Sequence, residues 1–539
     1  MAATTVPAVP QFRSPNRWLI LLASVVSMVA VANFQYGWTL FVLPLQQHLK
    51  STAALIQVTF TVFVLLETWL VPFEGWLVDK IGPRLLVMAG GVLAGLGWIG
   101  SGKAESLTAL YLAYAVAGIG AGIVYGTAIG SALKWFPDHR GLAAGLTAAG
   151  FGAGSAFTVV PLAKMINPAG QPAGSGYQHA FIVWGIVQGI VVLVAALFLK
   201  APPAGWLPKT WRLKGSPEVK KRQSNADFNS SQMSATPQFW LMYLIMTLVA
   251  TGGLMATAQL APMARDFKVD TVQIHASWLA MLLSGFQAHV MTALAFALAA
   301  DRLVNGLCRP FWGWVSDHIG RENTMAVAFG LEAIAIYALI KTASNPLLFV
   351  VFSAFTFFGW GEIYSLFPAL CGDFFGRKHA TANYGFLYTA KGTASVLVPI
   401  GSALAAGAAF DFRADVLLLV GGALAFVAHF LVPTVFGIKI SKTMHNILFG
   451  LGLVLVTCGL VLTVVPRLGF VPGWFSQASS IAKVAVPKVG WTGVFKVAIV
   501  FDAIGAILAF FVLKRMKVPA PPRDAAEGVP TAAIASAKA

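Results

Sequence analysis

GWLVDKIGPR at residues 75–84 and GWVSDHIGR at residues 313–321 read as one loop written twice. Gly75, Asp79, Gly82 and Arg84 of the first copy answer to Gly313, Asp317, Gly320 and Arg321 of the second, with Pro83 the extra residue. A weaker echo links FPDHRGLAAG, from Phe136, with FGRKHATANYG, from Phe375, at nearly the same separation. One copy alone is a generic polar turn. Two copies at matched separation are an internal repeat, and two homologous six-helix halves are its economical explanation. In physical terms the first Gly lets neighbouring helices approach. The Asp accepts hydrogen bonds from a helix N-terminus or pairs with the following Arg, and the last Gly permits a tight turn.

The sequence around these loops is built for lipid. Of 539 residues, 58% are hydrophobic and 11% charged, against about 25% charged in soluble domains. Apolar runs of roughly 18 to 28 residues, each long enough to span a bilayer, fall near 18–45, 54–77, 85–102, 107–133, 141–166 and 178–200. A polar, Pro- and Lys-rich stretch at 201–237 cannot cross a membrane and reads as a linker. Further runs fall near 238–262, 290–316, 324–341, 346–372 and 382–409, then two extra ones at 416–437 and 445–466, then a last one near 491–513. The expectation is an all-α polytopic membrane protein of about fourteen helices: an N-terminal half at 18–200, a linker at 201–237, and a C-terminal half at 238–513 carrying an extra helix pair within 409–490. Lys439, Lys442 and His445, and Lys514, Arg515 and Lys517, then fall on the side of the N-terminus and linker. By the positive-inside rule that side is the cytoplasm, with tails 1–17 and 514–539 both there.

The formal charge of +17, from 37 Lys and Arg against 20 Asp and Glu, does not indicate nucleic acid, because the basic residues sit in alternate short loops. Cys308, Cys371 and Cys458 lie in or beside apolar runs without paired spacing, so neither a disulfide framework nor a metal site is expected. The run from Trp18 to Leu45 is too long for a signal-peptide core and reads as an uncleaved first helix. There is no nucleotide loop, no metal-spaced His/Cys group and no nucleophile elbow, so no enzyme and no cofactor are expected. A sensor or purely structural membrane protein would need no convergent buried charges. The segment 264–289 is partly apolar but carries Arg265, Asp266, Lys268 and Asp270, and reads as an insert forming an amphipathic helix on the outer surface. Both ends, to about residue 15 and from about 518, are rich in Ala and Pro without periodicity and read as disordered.

Two cations sit where a membrane helix should carry none: Arg309, in MTALAFALAADRLVNGLCRPFWGWVS, and Lys391, in ANYGFLYTAKGTASVLVPIGSALAAG. Each costs about 2.5 to 3.5 kcal/mol at mid-bilayer depth even on lenient scales, which points to an anionic cargo. Tyr384, Tyr388, Lys391 and Ser395 recur at helical spacing and share one polar face. The alternatives are that Lys391 snorkels to an interface and that Arg309 joins a structural charge cluster with Asp317. Arg302 lies on nearly the same face as Arg309 and either draws anions inward or pairs with Asp301.

Together NRW at 16–18, QYGWTL at 35–40, GIVYG at 122–126, KWFPDHRGLAAG at 134–145, CRPFWGWVSDHIGR at 308–321 and ANYGFLYTAKGTAS at 382–395 resemble the oxalate/formate antiporter family of the major facilitator superfamily. The resemblance covers about 16–262, 290–408 and the last helix. It implies two halves packed around a midplane site, Arg309 and Lys391 as the positions that hold the carboxylates, and an aromatic box of Gln35, Tyr36, Tyr125, Trp360 and Tyr364, beside Tyr388. It further implies a secondary transporter working by alternating access, exchanging small carboxylate anions of the oxalate and formate kind. A monomer in a bacterial inner membrane is expected. Two unpaired, mutually repelling cations would resist being sealed in without an anion, which favours exchange. The alternative is a proton-coupled carrier for a monocarboxylate such as lactate or pyruvate. Phe151 departs from the family, which has Tyr there. Glu67, Glu332, Glu362 and Asp502 add acids inside apolar runs: Glu362 faces away from a cavity lined by Trp360 and Tyr364, while Asp502 offsets Lys391 or Lys496, or carries a proton.

Overall fold

The computed structural model describes residues 16–136, 140–203, 227–275, 290–376, 379–407, 410–413, 480–484 and 487–519. The apolar runs 416–437 and 445–466, Cys458, and most of the linker and both tails lie outside the described residues. Within them the chain runs α1 (Arg17–Tyr36), α2 (Thr39–His48), α3 (Ala53–Trp69), α4 (Val71–Ile81), α5 (Pro83–Gly102), α6 (Leu107–Trp135), α7 (Arg140–Ala153), α8 (Val159–Ile166), α9 (Tyr177–Ala196), a short α10 (Ser230–Ser234), α11 (Pro237–Asp266), α12 (Ala293–Ile319), α13 (Arg321–Thr342), α14 (Pro346–Trp360), α15 (Ile363–Phe375), α16 (Ala380–Ser395), α17 (Leu397–Ala406) and α18 (Gly490–Ile507). Nine described helical stretches are long and apolar enough to cross a membrane. Leu22, Leu85, Leu96, Ile186, Val327 and Ile334 are among many large apolar side chains left exposed, as a lipid-facing surface requires.

Polar side chains close the helix starts. Thr52, Ser106, Thr236, Thr292 and Asn345 accept from the backbone N–H groups of Leu55, Ala109, Phe239, Ala295 and Leu347. These N–H groups have no partner within their own helix and no water once in lipid. Between spans, small residues let backbones touch: a Cβ on Gly97 would stand 2.4 Å from the Ala117 nitrogen, so α5 and α6 pack at a distance only glycine permits.

The repeated loops adopt one backbone. Gly82 has φ 87° and ψ 157°, and Gly320 has φ 89° and ψ 155°. Only glycine reaches that region without strain, and in both copies the next residue opens a helix. Arg321 pairs with Asp317 at 2.8 Å and with Asp373 at 3.4 Å, while Arg84 donates to the Leu199 carbonyl. The reason expected for the first glycine is corrected at Gly313, where an added Cβ would meet nothing within 4 Å. The surroundings of Gly75 and the Asp79 side chain lie outside the described part.

The helical reading of 264–289 is also corrected in its described portion. α11 continues to Asp266, Lys268 turns the chain with φ 59°, and β1 (Gln273–His275) pairs antiparallel with β2 (Val290–Thr292). Residues 276–289 lie outside the described residues. A second ribbon joins β3 (Phe410–Arg413) to β4 (Ser480–Val484). Both ribbons exchange the backbone hydrogen bonds that two short segments could not satisfy alone.

Five of the expected spans are broken rather than continuous: α1 from α2 at Gly37–Trp38, α3 from α4 at Leu70, α7 from α8 before Val159, α14 from α15 at Gly361–Glu362, and α16 from α17 at Val396. Prolines account for two. Pro72 opens α4, and Pro399 has no N–H for the Ser395 carbonyl. That freed carbonyl instead accepts from the Thr61 hydroxyl at 2.7 Å, joining the end of α16 to α3.

Candidate functional site

Each break lies beside a residue singled out in the sequence: Gln35 and Tyr36, Glu67, Phe151, Trp360 and Tyr364, and Lys391. Non-helical backbone at membrane depth is tolerated only where protein or a polar cavity receives it, so the breaks mark the polar centre of the bundle.

Lys391 Nζ donates to Gln35 Oε1 at 2.7 Å, to Tyr388 OH at 3.1 Å, and to both Glu67 oxygens at 3.0 and 3.1 Å. Neither Lys391 nor Glu67 is reached by solvent. Lys391 therefore does not snorkel, and it is not an unpaired cation. Its counter-charge is Glu67, not Asp502.

Arg309 Nη1 donates to the Ala148 carbonyl on α7, and its Cζ lies 4.5 Å from the centroid of the Tyr364 ring. Nε and Nη2 have no hydrogen-bond partner among the described residues. Asp317 pairs with Arg321, and the Arg309 guanidinium has only the Ala148 carbonyl as a hydrogen-bond partner among the described residues. Lys391 Nζ lies 5.9 Å from the same Tyr364 centroid, so the two cations share one aromatic ring. Arg302 sits 4.6 Å from the Tyr36 ring and 4.3 Å from Phe357, and among the described residues none of its three nitrogens is hydrogen-bonded, to Asp301 or otherwise.

The aromatic box closes around these charges. Tyr125 stacks on Tyr388 with centroids 5.2 Å apart. Phe151 touches Tyr36 and Tyr125, and Lys391 Nζ lies 5.5 Å from its ring. Trp360 reaches the site only through Tyr364, against which it packs edge-on. The Tyr364 and Tyr384 hydroxyls have no hydrogen-bond partner among the described residues. Asn305, which the sequence reading did not single out, donates to Tyr36 OH at 3.0 Å. It stands between Arg302 and Arg309 on α12, and that spacing was the available signal.

Glu362 and Asp502 are not brought to the cations. A Cβ on Gly252 would stand 3.4 Å from Asp502 Oδ2 and 3.4 Å from Glu332 Oε1, and Glu332 has Asp502 and Glu362 as charged neighbours. All six carboxylate oxygens lack hydrogen-bond partners among the described residues. A separate cavity of about 630 Å³ is lined by Gln47, Lys164, Arg265 and Asp270 at the end of the bundle where α2, α8 and α11 meet. It lies apart from the Arg309–Lys391 centre, which is sealed in this structure.

Residues 20–305 and 280–446 match the family model of the Major Facilitator Superfamily. The chain belongs to the major facilitator superfamily. Among curated proteins it is 36% identical over 417 residues to the oxalate:formate antiporter of Oxalobacter formigenes, covering 77% of this chain and 90% of that one. This degree of likeness puts this superfamily member in the oxalate/formate antiporter family. It is 31% identical over 272 residues to human monocarboxylate transporter 11, half of each chain. Among solved structures, a bacterial homologue of the human lysosomal transporter Spinster, inward-facing and occupied, aligns with TM-score 0.56 at 15% identity, over 94% of this chain and 98% of that chain. That likeness extends to the fold. The protein is an integral membrane transporter, not an enzyme.

Proposed function

We propose that this superfamily member carries small carboxylate anions by alternating access, exchanging one for another in the manner of oxalate and formate. The observation that carries the reading is that Arg309 and Lys391 share the Tyr364 ring while Arg309 keeps Nε and Nη2 free. Those two N–H groups match the two oxygens of a carboxylate. Lys391, Gln35 and Tyr388 offer donors to the far end of the anion. Tyr36, Tyr125, Phe151, Trp360 and Tyr364 wall it from water, which strengthens each electrostatic contact. Likeness to the oxalate:formate antiporter supports the same cargo class.

In this reading residues 18–200 and 238–513 form two halves that rock about the site, pivoting at the broken helices. The loops at 75–84 and 313–321 lock the cytoplasmic ends of neighbouring helices. Both termini are cytoplasmic, the membrane is a bacterial inner membrane, and one chain suffices because every site residue comes from it. Arg302 and Arg309 have no hydrogen-bonded carboxylate among the described residues, so their charge is left uncompensated until an anion binds, which favours exchange.

The test is labelled-anion exchange in proteoliposomes. The wild-type protein should exchange oxalate or formate against an internal anion, and inserted Arg309→Gln and Lys391→Gln variants should not. Exchange at the wild-type rate in both variants would remove the anion site from consideration.

A further inference from the structure

The centre already holds an anion of its own. Glu67 is fully buried at the end of α3, and both its oxygens lie on Lys391 Nζ, from a position 324 residues away in sequence. An ammonium has three protons to give. Here they are divided among Gln35, Tyr388 and Glu67, and Glu67 is the one negative acceptor. A cargo carboxylate reaching Lys391 takes the place that Glu67 occupies.

With Arg309 engaged by the cargo in the reading above, the displaced carboxylate has no second cation at this centre, among the described residues, to receive it. Facing it are Gln35 and Tyr36 from α1, Tyr125 from α6, Tyr364 from α15 and Tyr388 from α16. Arg309 from α12 is turned to the Ala148 carbonyl and the Tyr364 ring. Two turns further along the same run stands Glu74, buried, with both oxygens unpartnered and directed at Gly122 and Gly126 of α6. Glu74 can only repel an ionised Glu67. A carboxylate without a cation in such surroundings takes a proton in preference to staying charged.

We infer that Glu67 binds one proton for each carboxylate that Lys391 accepts, so that the carrier moves anion and proton together. This rests on the anion-site reading above and specifies its coupling. In the step, the Lys391–Glu67 ion pair parts, Lys391 pairs with the cargo, and the Glu67 carboxylate takes a proton from the aqueous phase that delivered the anion. Release at the other face reverses both changes. A monoanion then loads with no change in the charge of the site, and a dianion lowers it by one.

Calorimetric titration of the purified full-length protein with oxalate, formate and lactate, in two buffers of unlike ionisation enthalpy, measures the protons taken up per anion bound. Wild type should take up about one, and its affinity should fall towards a limit of about tenfold per pH unit as pH rises. Glu67→Gln, which keeps the shape of protonated Glu67, should bind more tightly than wild type at pH 8 and show no proton uptake. Anion binding by wild type without proton uptake, or an unchanged pH slope in Glu67→Gln, overturns this inference and leaves the anion site standing. Failure of all three carboxylates to bind, or wild-type binding by Arg309→Gln, overturns the site reading and this inference with it.

Discussion

The Arg309 guanidinium crosses Gly152 with no room for a side chain between them: a Cβ on Gly152 would stand 3.0 Å from both Cζ and Nη2. Gly152 is on α7 and Arg309 on α12, so one contact sets how far the arginine reaches across the bundle, in concert with its bond to the Ala148 carbonyl. Gly152→Ala should displace the guanidinium by a few tenths of an ångström and also press on the Gly306 Cα of α12, which lies 3.0 Å from the added Cβ. For a bidentate donor such a shift degrades both hydrogen bonds, and a loss of about 1.4 kcal/mol is tenfold in affinity. Oxalate affinity of the purified variant, set beside its melting temperature, checks this. Weakened binding with a smaller loss of stability is the expected pair of results.

The chemistry of Arg309 separates from its charge. Arg309→Lys keeps the cation and loses the planar fork, so it should bind a carboxylate about tenfold or more weakly than wild type. Arg309→Gln loses both and should fall below detection in the same titration. Equal binding by the lysine variant would mean that the site reads charge alone.

Phe151 offers a gain. Its ring lies 5.5 Å from Lys391 Nζ and touches Tyr36 and Tyr125, so a hydroxyl added there enters a wall of donors. Phe151→Tyr should tighten oxalate binding by several-fold, within the roughly 0.5–1.5 kcal/mol of one added hydrogen bond. Formate, with one carboxylate, should gain less, and competition between the two anions measures the difference.

The periodicity of apolar residues and the doubled loop carried the helices, the family and the two cations, because those signals are local or repeat along the chain. Gly82 and Gly320 even share their backbone angles within 2°. What the sequence could not carry was pairing across it. Glu67 and Asp502 both read as acids inside apolar runs, and nothing within either run says that one meets Lys391 and the other meets Glu332. The breaks beside the site were equally hidden at Gly361, where no proline marks them. The Pro399 break was half legible, since the proline is visible and the Thr61 acceptor contact is not.

The matched glycines make a stability prediction. Gly82→Ala and Gly320→Ala each force a side chain into a backbone region that costs about 1–3 kcal/mol, and the two should lower the melting temperature of the purified protein by similar amounts. Gly330, inside α13 with nothing within 4 Å of an added Cβ, is the control. Gly330→Ala should raise stability by up to about 1 kcal/mol through helix propensity.

The acids grouped at Gly252 call for the opposite substitution. Asp502 and Glu332 bring oxygens to within 3.4 Å of one point beside that residue, and no cation or donor meets them among the described residues. Folding the chain at neutral pH therefore requires either burying unpaired negative charge or binding protons that the unfolded chain does not hold. Both cost free energy, and an amide of the same shape removes both. Asp502→Asn and Glu332→Gln should each raise the melting temperature, by about 1–3 kcal/mol in stability, while oxalate affinity stays at the wild-type value because neither residue touches Arg309 or Lys391. If either variant instead lowers stability or abolishes transport, the cluster has a partner or a proton-carrying duty in the working cycle, and the coupling assigned to Glu67 would have to be shared with it.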